Sequence, residues 1–77
     1  VEQGAAEVLE ILVNDDFNNK MIKDLNFPAP AIVGIIQRRN NVIIPKGDSV
    51  IKVHDVLIIF TMAENAQKIK DYFRVCG

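Results

Sequence analysis

The stretch Ala31–Pro45, AIVGIIQRRNNVIIP, constrains this chain more than any other. Two apolar, β-branched runs, Ala31–Ile36 and Val42–Ile44, flank a polar break at Gln37–Asn41. Valine and isoleucine are stiff at Cβ and suit a pleated surface, so both runs are predicted to be strands. The break is too short for a crossover, so the strands must return antiparallel as a hairpin. Asn40 is the turn residue expected to take positive φ, because its side chain bonds locally.

A chain of 77 residues is one domain. At this size only about 60% of the unfolded surface is buried on folding. The sequence is nevertheless 49% hydrophobic, so either its core is dense or part of its apolar surface meets a partner. Nine basic against ten acidic residues leave a net charge of −1, which gives no electrostatic footprint for nucleic acid. The single cysteine, Cys76, has no second cysteine for a disulfide or a thiolate metal site, and implies a reduced, cytosolic setting. No apolar run approaches the ~18–20 residues of a membrane span, so no direct membrane insertion is expected. A chain that opens on Val1 rather than Met is expected to be a domain of a longer protein.

Ala6–Val13 is predicted to be the first strand, with Leu9, Ile11 and Val13 facing one way and Val8 and Leu12 the other. Asn14–Asn19 is a loop rich in residues that bond their own backbone, and Asn18 or Asn19 is expected to cap a short helix to about Leu25. Pro28 and Pro30 then stop it. After the hairpin come turns at Gly47-Asp48 and His54-Asp55, then the strand Val56–Met62, apolar on both faces. Thr61 and Glu64 have capping-box spacing ahead of a helix over about Glu64–Phe73, with Ala66, Ile69 and Phe73 inward.

The order βαβββα predicts an α+β fold: a small, antiparallel-containing sheet of about four strands with two helices. Two short helices cover one sheet face, while several strands are apolar on both. A second copy of the chain across a two-fold axis would supply the missing cover, so a homodimer is expected.

Chemistry is sparse. His54 is the only histidine; Asp55 beside it could orient an imidazole, but a solvated turn pair is the plainer reading. Asp15-Asp16 could bind a cation, yet adjacent acids before a helix more often complement its dipole. The four glycines are scattered singly, so there is no phosphate-cradling loop. No enzyme is expected. Arg38-Arg39 at the hairpin tip is the feature that suggests binding. Arginine forks onto phosphates and carboxylates and stacks on planar rings. Strand parity places Ile32, Gly34, Ile36 and Arg38 on one face, an apolar strip ending in a cation. A charged turn that merely keeps the tip wet is the alternative. Gly34 within a strand signals a bulge or a close backbone approach.

Four pieces together resemble the TrkA C-terminal domain, also called the RCK C-terminal domain. They are Asn19-Lys20-Met21 with Leu25, Ile36-x-Arg38, Ile43-Ile44-Pro45-x-Gly47-Asp48, and Asp55-x-Leu57-Ile58-Ile59. The likeness covers about Ala6–Phe73. It departs from the family at Asn19, Asn40 and His54, where glycine is usual. The resemblance implies a dimeric, non-enzymatic regulatory module that follows a nucleotide-binding domain in cytoplasmic proteins. Those proteins gate potassium channels and transporters through a membrane subunit, peripheral to the inner membrane. It further implies a small anionic effector between subunits, in some members cyclic di-AMP. The positions carried over for that effector are Ile36, Arg38, Asn40 and Pro45, with Arg38 on phosphate and the apolar residues on the base. A ligand-free dimerisation module is the alternative. No glycine-rich βαβ unit is present, so this chain alone is not expected to bind a dinucleotide.

Overall fold

Four segments rich in aliphatic and β-branched residues pair into one antiparallel sheet, as their composition favours. The computed structural model describes residues 4–75, so Cys76 lies outside the described residues. The strands are β1 (Ala6–Leu12), β2 (Ala31–Arg38), β3 (Asn41–Ile43) and β4 (Val56–Met62), in the spatial order β1-β4-β2-β3. The helix α1 (Ala66–Val75) follows β4 through a 3₁₀ turn at Ala63–Asn65. The expected α+β sheet of four strands is therefore present. The second expected helix is not.

In its place are two single 3₁₀ turns, Asp15–Phe17 and Ile22–Asp24. The reason is where the backbone bonds go. Asn19 N–H donates to Ile51 O and Ile22 N–H to Ser49 O, while Ile51 N–H donates to Lys20 O. Groups that a helix would use internally are spent on the 49–51 loop, and Asn19 at φ 69° breaks the run. Asn14 caps the first turn by accepting from Asp16 N–H, so neither Asn18 nor Asn19 has that role. Thr61 does not cap either; its hydroxyl donates to Pro30 O at 2.8 Å.

Register divides the sheet into two faces. Leu9–Ile59–Val33 and Ile11–Leu57–Ile36–Ile43 form rows on the covered face. Against them pack Ala66, Ile69 and Phe73 of α1, with Val13, Phe17, Leu25 and Ile51 from the loops. Four of the five aromatic residues, Phe17, Phe27, Tyr72 and Phe73, cluster here with ring centroids 5.0–5.8 Å apart. The inward helix face is the expected one.

The opposite face carries the rows Val8–Phe60–Ile32 and Glu10–Ile58–Ile35, then Leu12–Val56–Gln37–Val42. Among the described residues nothing covers it: Leu12 is 64% exposed, Ile32 68% and Phe60 43%. A bulge between Val33 and Ile35 sets the phase of β2. Gly34 sits at that bulge against the Phe60 ring, where any Cβ would overlap the ring edge. The extra residue reverses the alternation, so Ile32 faces out while Ile36 is buried and Arg38 lies on the covered side. The expectation that all of these share one face fails for that reason.

Candidate functional site

Arg38 ends β2 and pairs across the hairpin with Asn41. The two-residue loop between them turns on Arg39, at φ 57°, rather than on Asn40. Such hairpin loops need positive φ at the first central position to match strand twist, and that position falls to Arg39.

The Arg38 guanidinium is fixed. Its Nε donates to Asp55 Oδ1 at 2.9 Å and its Nη2 to Asp55 Oδ2 at 2.8 Å, with a further bond from Nη2 to Val50 O at 3.0 Å. Asp55 is only 2% exposed and also accepts from Lys52 N–H at 2.9 Å. Burial alone would push this carboxyl up, but the Arg38 and Lys52 hydrogen bonds outweigh it and hold the carboxyl below its ordinary range. The bond to Asp55 in turn raises Arg38, against a smaller opposing effect of burial. Asp55 is thus neither a solvated turn residue nor an orienter of His54. It is the buried anchor of the hairpin tip.

Around this pair lies a surface cavity of about 320 Å³ lined by Arg38, Arg39, Asn41, Lys52, Val53, His54 and Asp55. Lys52 Nζ donates to the neutral Asn19 Oδ1 at 2.6 Å and makes no ion-pair contact among the described residues. His54 has φ 77°, the strained turn anticipated for a histidine where glycine is usual. Of the four effector positions, Arg38 alone lines this cavity. Ile36 is fully buried and offers no surface to a ligand, Asn40 is exposed at the tip, and Pro45 is half-buried beyond β3. Lys52 and His54 join the arginines only through the fold. Their separation from the hairpin in sequence hid that grouping.

The second feature is the open apolar face, with a hollow of about 240 Å³ between Ala6, Pro30, Ala31, Ile32, Phe60, Thr61 and Met62. Among the described residues, no three His, Cys, Asp or Glu side chains gather to hold a metal ion, and no helix is long and apolar enough to cross a membrane.

Residues 7–74 match the model of the TrkA-C domain. The chain is 38% identical over 72 residues to a Trk system potassium uptake protein TrkA homolog of Archaeoglobus fulgidus, covering 94% of this chain and 16% of that protein. It is 35% identical over 68 residues to a homolog of the same name from Pyrococcus abyssi, covering 84% of this chain and 30% of that one. A solved structure described as "Structure of RCK domain with cda" superposes with a TM-score of 0.77 at 27% identity, covering 86% of this chain and 96% of that one. The chain thus spans well under half the length of these uptake proteins.

Proposed function

Because the chain belongs to the TrkA-C domain family, we propose that it is a regulatory domain of a potassium transport system that works as a pair of identical subunits. The observation that carries the pairing is the open sheet face. Val8, Leu12, Ile32, Val42 and Phe60 form an exposed apolar surface of the kind that marks an interface. Antiparallel sheets tolerate one wet face, but such a face alternates to polar residues, and here only Glu10 and Gln37 interrupt it.

In this reading a small anionic effector, cyclic di-AMP being the example the resemblance supplies, meets Arg38, Asn40 and Pro45, with Ile36 as the packed floor beneath. The effector acts by binding one arrangement of the pair better than another, and the full-length protein passes that bias to the membrane subunit on the cytoplasmic side. No catalytic step is involved. A ligand-free dimerisation module is the second reading. It is favoured by the Arg38 guanidinium, two of whose nitrogens are already committed to Asp55 and Val50.

Light scattering tests the pairing. The 77-residue chain should show twice its 8.6 kDa mass, and Ile32→Glu should return it to one. A wild-type chain that stays single at on the order of 100 μM overturns the reading, because an interface of useful size binds more tightly than that. A thermal-shift titration with cyclic di-AMP then separates the two readings. A native-state ligand at 100 times its dissociation constant adds about 2.7 kcal/mol, and a ligand-free module gains nothing.

A further inference from the structure

We propose that the cavity between the hairpin tip and the 52–55 turn is a binding site for a phosphate group, built entirely within one chain and sharing Arg38, but not Ile36, Asn40 or Pro45, with the effector positions. It needs no second copy. Its lining carries two arginines and one lysine against one aspartate, a formal charge of +3 − 1 = +2 in a chain whose net charge is −1. The charge of the one carboxylate is offset by its pairing with Arg38. Asp55 is buried and both its oxygens accept hydrogen bonds, from Arg38 and from Lys52 N–H. What the cavity presents is therefore the outer side of the Arg38 guanidinium, together with Arg39 and Lys52.

Arg39 makes no hydrogen bond or ion pair among the described residues, and Lys52 Nζ touches only the neutral Asn19 amide. Two cations without an ion-pair contact among the described residues, beside a third held by Asp55, suit a dianion better than a lone carboxylate. Asn41 and the His54 ring add further hydrogen-bonding groups, and Val53 gives one apolar wall. About 320 Å³ is at the lower end of small-ligand sites, enough for phosphate and a compact organic group. Two of the lining residues, Arg39 and His54, both hold left-handed backbone, at φ 57° and 77°. Glycine would do so without strain, and strain of this kind is retained where a side chain is needed.

The test is an NMR titration of the 77-residue chain with inorganic phosphate, and in parallel with ribose 5-phosphate, each against sodium chloride at matched ionic strength. The amide signals of Arg39, Lys52, Val53 and His54 should shift and saturate with phosphate but not with chloride. Arg39→Asn and His54→Asn keep a residue that tolerates positive φ while removing the guanidinium and the ring. Arg39→Asn, and separately Lys52→Gln, should weaken binding about tenfold, the value of a lost charged hydrogen bond. Tighter binding of ribose 5-phosphate assigns the site to a phosphorylated small molecule; equal binding assigns it to free phosphate. Binding must also persist in Ile32→Glu, which separates this site from the subunit pairing. Equal shifts with chloride, or unchanged affinity in Arg39→Asn and Lys52→Gln together, overturn the proposal.

Discussion

Removing Arg38 tests the buried ion pair directly. In Arg38→Ala the Asp55 carboxylate, 2% exposed, loses two of its three hydrogen bonds and its countercharge, and Val50 O loses a donor. Deleting one partner of a fully buried pair costs about 3–5 kcal/mol. The Arg38 side chain is 33% exposed, so water reaches part of the vacated space and lowers the figure to about 2–4 kcal/mol. A domain of this size holds only about 4–12 kcal/mol in all. At about 4–8 °C per kcal/mol, the Tm should fall by at least about 8 °C.

Urea denaturation followed by circular dichroism, at fixed chain concentration, measures the loss at neutral pH. Repeating it in acid supplies the sign. Asp55 has a lowered folded pKa, so below its unfolded value near 4 the unfolded chain binds more protons than the folded one. The stability contributed by the pair is therefore present above about pH 4 and disappears as pH falls through the folded value. The gap between wild type and Arg38→Ala should close over that same window. Replacing both residues, Arg38→Met with Asp55→Leu, should recover much of the loss, since no unpaired charge then remains. A loss under about 0.5 kcal/mol at neutral pH, or a gap independent of pH, would refute this account of the pair.

Gly34→Val should destabilise by about 1–3 kcal/mol, because its Cβ overlaps the Phe60 ring, and adding Phe60→Ala should relieve most of that clash in a double-mutant cycle. His54→Gly should raise stability by about 0.5–1 kcal/mol in thermal melts by releasing the positive φ, with a fall in stability as the contrary result.

The hairpin, the four strands and the inward face of α1 were legible because each rests on local patterning. Ala66, Ile69 and Phe73 repeat at helical spacing, and β-branched runs repeat at strand spacing. Glycine at position 34 even signalled the bulge. What the pattern could not carry was its consequence, that one inserted residue sends Ile32 and Ile36 to opposite faces. The helix expected before Leu25 failed for a different reason. Its backbone donors met the 49–51 loop, a partner almost 30 residues away with no local signature. Asp55 was misread on the same ground, since its identity as the anchor depends on Arg38, 17 positions earlier.

The two faces of the sheet meet at the hairpin tip. The covered rows end at Ile36–Ile43, immediately before the Arg38–Asn41 pair that lines the basic cavity. Between those two pairs lies Gln37–Val42, whose side chains point to the open face. A ligand that draws Arg39 toward Lys52 and His54 therefore pulls on the same backbone that carries Val42 into the proposed subunit contact. The Arg38–Asp55 pair ties this tip to the 52–55 turn. Coupling of that form is reciprocal: if phosphate binding favours pairing, the affinity per site should differ between the Ile32→Glu monomer and the wild-type pair by a factor whose square is the change that saturating phosphate makes in the dimer dissociation constant, because a pair carries two sites. Sedimentation with and without phosphate measures one factor and the NMR titration the other. Factors of one in both measurements would mean that the cavity and the open face, though one residue pair apart, are energetically separate.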